Sequence, residues 1–366
     1  MLLSSIPLFT FSSIISAMHP LTFNASVDGH CVFPGTCKAP SSTYSRVMIG
    51  PKPGQQWNIN GGFCGAWSTQ QAALAHGAWI SQDLVRKANR MQNIPHGMHG
   101  DRTNGYEVMP SNVAYTAEKL KLTYNEWDYT QPSPQAVEYK KWLKKNLAKG
   151  HPVVWFPLCK GDGLSCYTPS ACPNGGSCNH VEPIFGIFSD NPLDDETVYD
   201  NDWILHASDQ DYMPYYRKMS SLEDSTAMSG NCAYAQPGFG RNEMYPCFDE
   251  QVTYGLAVTG LAVKGTLPVS LWVDIYSEPN VRTWGQPVQI HGIVSVSGLQ
   301  AGKTYKLYRY SGTESLPSSA PFIGAEYETP FTAQGNTWTF KDPHTFASNS
   351  ATYYVATEVE DAGIVV

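Results

Sequence analysis

Nine cysteines are the feature that most constrains how this chain of 366 residues can fold. Eight of them stand in local groups that can pair, and only Cys64 has no cysteine near it in sequence. The grouped ones are Cys31 and Cys37, then Cys159, Cys166, Cys172 and Cys178, then Cys232 and Cys247. In an oxidising compartment we expect disulfides, because a structural zinc site would use shorter Cys-x2–4-Cys hooks. Four disulfides would leave Cys64 as the remaining thiol, with the connectivity of the other eight open.

The amino terminus predicts export. Residues 1–17 carry no charged side chain, are rich in Leu, Ile and Phe, and end in Ile15-Ser16-Ala17, a pattern typical of a cleaved signal peptide. A membrane anchor is the alternative, but a spanning helix needs about 20 apolar residues, and serines interrupt this run. We therefore expect a secreted or lumenal protein without a membrane span, in which Asn24-Ala25-Ser26 is a glycosylation sequon.

Composition and length predict two globular domains. A hydrophobic content of 42% supports packed cores, and 366 residues exceed what one core usually serves. The net charge is −8 and the basic residues are scattered, so no nucleic-acid partner is expected. A change of composition near Gly265-Thr-Leu-Pro268 places the domains at 18–266 and 267–366.

The first domain is predicted to be α+β and the second all-β. Helical spacing is found over residues 66–90, divided at Gly77 and Ser81, and again over 111–122 and 133–148. Strands follow, so we expect helices packed on an antiparallel sheet. Beyond residue 267, alternating strands separated by turn residues are typical of a β-sandwich.

Cys64 stands where a reactive thiol would be favoured. It follows Asn60-Gly-Gly-Phe63 and opens the first predicted helix. N–H groups and the positive end of the helix dipole stabilise a thiolate at such a position. The neighbouring Gly61, Gly62 and Gly65 would leave room for a substrate backbone. A buried structural cysteine is the alternative, against which the glycines and the helix start argue.

His180 is the candidate base for this thiol. It opens the strand-like run 181–189, and a second run, 203–208, ends at Asp209. If the two strands pair antiparallel, the residue that starts the first lies opposite the residue that ends the second. Asp209 would then lie beside His180, and Asn201, in Asp200-Asn-Asp-Trp203, is the alternative partner.

This order of cysteine, histidine and Asn or Asp resembles the papain-like superfamily of cysteine peptidases. The likeness is greatest to the C39-like peptidase branch, with phytochelatin synthase a more distant relative, and it covers roughly residues 55–219. Cys64-Gly65-Ala66 is similar to that branch's Cys-Gly-Pro/Ala helix start, and Ala148–Trp155 is similar to its helix–Gly–Pro–strand step. Asn179-His180 stands in place of its Gly-His, and Ser208-Asp209 stands in place of its Asp-Pro.

The resemblance implies a papain-like catalytic domain that hydrolyses an amide or peptide bond without a cofactor or metal. Cys64, His180 and either Asp209 or Asn201 would form its triad. The family's oxyanion-hole Gln, six residues before the cysteine, is replaced here by Asn58, with Gln56 and Asn60 as alternatives.

In the second domain, the segment 298–308 resembles a fibronectin-III turn and strand and is expected to contact a surface or a carbohydrate. The partner expected for the catalytic domain is a peptide or another amide-containing substrate. Two other functions stay open. The same triad would transfer an acyl group to an amine, as in transglutaminases or phytochelatin synthase, or the scaffold would be a degenerate, secreted binding protein.

Overall fold

The structure is a computed structural model, and it describes the following residues: 39–52, 54, 56–57, 63–89, 100–101, 105–108, 110, 112–132, 134–156, 158–159, 178–179, 181–207, 214–222, 254–273 and 287–359. Its helices are α1 (Cys64–Leu74), α2 (Gln82–Ala88), α3 (Val113–Lys119) and α4 (Ala136–Ala148). Its strands are β1 (Tyr44–Val47), β2 (Ala78–Ile80), β3 (Gly100–Asp101), β4 (Gly105–Tyr106), β5 (Leu122–Glu126), β6 (Val153–Trp155), β7 (Leu158–Cys159), β8 (Cys178–Asn179), β9 (Glu182–Ser189), β10 (Trp203–Ala207), β11 (Pro214–Lys218), β12 (Gly255–Leu261), β13 (Val269–Val273), β14 (Gln289–Ser297), β15 (Thr304–Ser311), β16 (Tyr327–Thr332), β17 (Thr337–Ala347) and β18 (Ala351–Glu358).

Several predictions about the amino terminus and the cysteines lie outside these ranges. The signal peptide 1–17 and the sequon at Asn24 are among them, as are six of the nine cysteines. Across the ranges given above, no helix is both long enough and apolar enough to cross a bilayer.

The first part of the chain is an α+β unit, as predicted. A seven-stranded sheet has the order β11-β10-β9-β6-β12-β5, with β1 added against β9, and these pairings are antiparallel. Val154 packs with Ala66 of α1, whereas Val153 and Trp155 pack with Leu143 of α4. Because side chains alternate along a strand, α1 and α4 cover opposite faces of the sheet.

Helix α1 lies at the centre of the molecule. Its residues 65–74 are all buried, so it presents no solvated stripe of the kind that surface helices have. Helix α2 begins where predicted, because the Ser81 hydroxyl caps it by accepting the Leu84 N–H at 3.2 Å. Residues 78–80 between the two helices form β2, a strand that helical spacing does not reveal.

The second part of the chain contains two antiparallel sheets packed face to face. One has the order β13-β14-β17 and the other β16-β15-β18-β2, and their shared core includes Leu271, Val294, Leu307 and Tyr354. The fourth strand of the second sheet, β2, comes from the α+β unit, with Ala78 to Ile80 paired against Tyr353 to Ala351. In sequence, β12 of the first unit ends at Leu261 and β13 of the second begins at Val269, whereas in space one sheet draws strands from both units.

Candidate functional site

Cys64 is the first residue of α1 and is half-buried, with no disulfide to any described residue. The first turn of the helix contains no acidic residue. Within the described residues, no side chain forms a capping hydrogen bond at the N-cap residue, Phe63. The Phe63 N–H donates instead to Oε1 of Gln56 at 2.9 Å. Because no carboxylate of the first turn neutralises the positive end of the helix dipole, this end can stabilise a negative charge on the thiol or on a group bound beside it.

A serine one turn further along joins the Cys64 helix to the central sheet. The hydroxyl of Ser68 lies 2.9 Å from the Cys64 carbonyl oxygen and 3.0 Å from the Val181 carbonyl oxygen. Both Ser68 and Val181 are buried. Since Val181 directly precedes β9, the first turn of α1 is fixed against the point where that strand begins.

Strands β9 and β10 pair antiparallel, as the sequence predicts. Their register joins Trp203 to Phe188 and His206 to Ile184, so the start of β9 and the end of β10 lie at the same edge of the sheet. His180, Asp209 and Asn58 lie outside the described residues. The proximity of His180 and Asp209 to Cys64 therefore stays a prediction.

Asn201 is placed away from this edge. Its side-chain Nδ2 donates to Oδ2 of Asp190 at 2.8 Å. Asp190 directly follows β9, whereas Val181 directly precedes it. The eight residues of β9 span roughly 25 Å at about 3.3 Å each. Because antiparallel pairing puts the start of β10 against the end of β9, the structure removes Asn201 from the candidate triad.

Gly65 has a packing role that the sequence did not indicate. A Cβ atom at this position would lie 2.7 Å from both Cβ and the carbonyl oxygen of Val108. The space beside Gly65 is thus filled by the protein itself. The expectation that this glycine leaves room for a substrate backbone is wrong, and the need for glycine comes from the close approach of α1 to Val108.

A buried carboxylate–imidazole pair lies on the other face of the sheet. His206 Nδ1 is 2.8 Å from Glu182 Oε2, with 0% and 1% of the two side chains exposed. Glu182 is the register partner of Trp155, and the Trp155 ring meets the His206 ring edge-on at 5.8 Å. His206 is therefore sealed from substrate. Glu182 orients the His206 ring.

No cation site is formed by the described residues, since no three or more of their His, Cys, Asp and Glu side chains cluster in a way that could hold a metal. Comparison of the chain with known proteins gave no match to a protein-family model, to a curated protein or to a solved structure. The papain-like resemblance thus stays a prediction from short motifs and their order.

Proposed function

We propose that this chain is an exported cysteine hydrolase of the papain-like type, with Cys64 as nucleophile, His180 as general base and Asp209 as the group that orients the histidine. The observation that carries the proposal is the Ser68 hydroxyl between the Cys64 and Val181 carbonyl oxygens. It puts the first turn of the Cys64 helix against the residue that directly follows His180. The start of β9 and the end of β10 lie at the same edge of the sheet, which supports Asp209 rather than Asn201 as the partner of His180. A role for the second unit in contacting a surface or a carbohydrate stays a prediction.

The proposed reaction splits amide hydrolysis into two steps. His180 takes the proton of the Cys64 thiol, the thiolate attacks the substrate carbonyl carbon, and a tetrahedral oxyanion forms. The C–N bond then breaks as His180 returns the proton to the leaving amine. In the second step His180 activates water, which attacks the thioester, and the acid product leaves as Cys64 regains its proton.

Gln56 is the better candidate than Asn58 for the amide that stabilises the oxyanion. Its side chain is buried, and its Oε1 is held by the Phe63 N–H at 2.9 Å, which orients the whole amide group beside the start of α1. We propose that Gln56 Nε2 and the Cys64 backbone N–H donate to the oxyanion. Gln56→Glu keeps the acceptor for Phe63 but removes the donor and adds a buried charge, so it should lower kcat by at least about 10²–10³, and circular dichroism checks that the variant folds.

The proposal is tested by the reactivity of Cys64 in the native protein. Iodoacetamide labelling is followed by mass spectrometry between pH 5 and 9, with Cys64→Ala as the blank. We expect labelling at Cys64 well below the ordinary thiol pKa of about 8.5, and slower labelling in His180→Ala. A folded protein whose Cys64 stays unlabelled across this range would contradict the proposal.

Activity is then measured on a fluorogenic peptide library, with Cys64→Ala and Asn201→Ala as the matched pair. We expect Cys64→Ala to abolish turnover and Asn201→Ala to retain it. A primary amine added to the assay separates hydrolysis from acyl transfer, because only acyl transfer incorporates the amine into product.

A further inference from the structure

A cleft separates the α+β unit from the three-stranded sheet of the second unit. Its volume is about 570 Å³, and it is reached at the carboxyl end of α1, where Ala75 and His76 line it. Cys64 is at the other end of this helix of 11 residues, about 16 Å away at 1.5 Å per residue. The cleft is thus distinct from the Cys64 site, and a volume of this size suits a small molecule.

Basic side chains gather on one wall of the cleft, around the carboxyl end of α4. Arg46, Lys149 and His151 line it there. The Arg46 guanidinium donates to the Ala148 carbonyl oxygen. It also packs over the backbone of Gly150, because a Cβ atom added to Gly150 would lie 3.6 Å from the guanidinium carbon. The Arg46 side chain is therefore held in place by the helix end, and both Arg46 and Lys149 are exposed.

Among the described residues, no carboxylate lies on this wall. The chain has 32 Asp and Glu residues, and none of the described ones lines the cleft. Glu196, whose carboxyl group feels the charge of Lys149, forms an ion pair with Lys145 at 2.6 Å. The positive charge facing the cleft is thus not matched by an acidic side chain in its lining.

Hydroxyl groups supply the rest of the polar lining. On the second unit, Ser270 pairs with Ser295 and Ser297 pairs with Thr337 across neighbouring strands, on the face of the sheet turned away from its core. On the α+β unit, the Thr123 and Thr259 hydroxyls are 2.9 Å apart and line the cleft as well. Hydroxyl rows from both units therefore face the same space.

We propose that this cleft binds the sulfate or phosphate group of a small polar molecule. Arginine and lysine donate hydrogen bonds and carry positive charge, histidine donates through its ring N–H, and hydroxyls donate as readily as they accept. A site rich in donors and without carboxylate acceptors is complementary to a group that only accepts, and a charged oxyanion forms the strongest hydrogen bonds with such donors.

The electrostatics of His151 agree with this assignment. Burial lowers the pKa of its imidazole, and the charges of Lys149 and Arg46 lower it further, so the potential at this point of the cleft is positive. His76, the other imidazole in the cleft, is engaged through Nε2 with the Val258 carbonyl oxygen at 2.9 Å. A dianion seated beside His151 would offset the two cations and raise the pKa of its imidazole.

The test titrates the full-length protein with sodium sulfate and sodium phosphate at constant ionic strength, with sodium chloride as the reference, by calorimetry and by the NMR signal of His151. We expect saturable binding and an upward shift of the pKa of His151. Lys149→Gln should weaken binding about fivefold or more, and Ser295→Ala should weaken it less. The matched control is Lys141→Gln, which removes a lysine of α4 that is paired with Glu138 and does not line the cleft; it should bind as the native protein does.

Glucose 6-phosphate and glucose separate the anion from the rest of the ligand. Tighter binding of glucose 6-phosphate than of inorganic phosphate would support a small polar molecule that carries the anion, whereas equal binding would limit the site to the anion alone and overturn that part. No saturable binding of either anion, or equal affinities in Lys149→Gln and Lys141→Gln, would overturn the proposal. Neither result bears on Cys64, because the labelling of the thiol is measured separately.

Discussion

At the scale of single residues, the Lys144–Asp202 ion pair is completely withdrawn from water. Lys144 Nζ is 2.9 Å from Asp202 Oδ2, and neither side chain is exposed. Asp202 also accepts the Ser189 hydroxyl and the Tyr199 backbone N–H. The pair thus holds the segment between β9 and β10 against α4, which fixes the end of the β9–β10 pair remote from Cys64.

We predict that Asp202→Ala lowers the free energy of unfolding by about 3–5 kcal/mol, because it leaves a buried lysine without its counter-charge. Urea unfolding at pH 7 measures the change. Glu196→Ala is the matched control, since it breaks a pair with Lys145 in which the side chains are 49% and 58% exposed, and should cost less than about 1 kcal/mol. Equal losses in the two variants would contradict this account.

His76 should make stability depend on pH. Its pKa is lowered from 6.5 to about 4, first because burial disfavours the charged imidazole and also because His151 lies nearby, while the bond to Val258 opposes the shift. The unfolded chain therefore binds a proton more readily than the folded one between these values. The contribution is complete above pH 6.5 and is lost as the pH falls towards 4, by up to about 3 kcal/mol.

The measurement compares urea unfolding of the native protein and of His76→Gln at pH 7 and pH 4.5. Glutamine can still donate to the Val258 carbonyl oxygen but does not titrate. We expect the native protein to lose more stability than His76→Gln on acidification. Parallel losses would show that other groups cause the pH dependence.

At the scale of elements, α2 depends on its first hydrogen bond. The helix is only seven residues long, so it cannot be stable by itself, and the buried Ser81 hydroxyl is its one side-chain cap within the described residues. Ser81→Ala should lower the free energy of unfolding by about 1 kcal/mol, and Ser81→Gly by only a few tenths. An unchanged urea midpoint in Ser81→Ala would show that tertiary contacts alone fix the helix start.

The helices were predictable from sequence where local signals exist, and β2 was not. Cys64 after a glycine pair and Ser81 before an acidic first turn mark helix starts by residue type. Ala78, Trp79 and Ile80 continue the apolar spacing of a helix, yet they form a strand because β18 offers them a sheet edge. No local pattern encodes a partner so distant in sequence, and a strand of three residues is too short to show its own period.

The same limit applies to the candidate site. The antiparallel pairing of β9 and β10 follows from two apolar runs and the polar segment between them. The link from Ser68 to Val181 could not be foreseen, because it joins a helix and a strand through one hydroxyl. Asn201 was the alternative partner for His180, but its position just before β10 puts it at the opposite edge of the sheet.

At the scale of the whole molecule, the two units should unfold together. Tyr353 of β18 donates through its hydroxyl to the Leu120 carbonyl oxygen at 3.0 Å, and Tyr310, Tyr353 and Val355 share a core cluster with Phe63 of the α+β unit. We predict one urea transition, which Leu143→Ala in the α+β unit and Leu307→Ala in the second unit both shift to lower urea by an amount worth about 2–5 kcal/mol.

Tryptophan fluorescence and far-UV circular dichroism are the two probes for this prediction. Coincident curves in the native protein and in both variants are expected. Two separated transitions, with each variant moving only one of them, would show that the units are independent domains.

The shared strand also sets an order for biosynthesis. Residues 78–80 are synthesised long before the strand that receives them, residues 351–353. The pairing of β2 with β18 therefore cannot form until residue 353 has been synthesised. Under the proposed export, this delay would keep the chain able to pass through a narrow translocation channel until β18 has been synthesised.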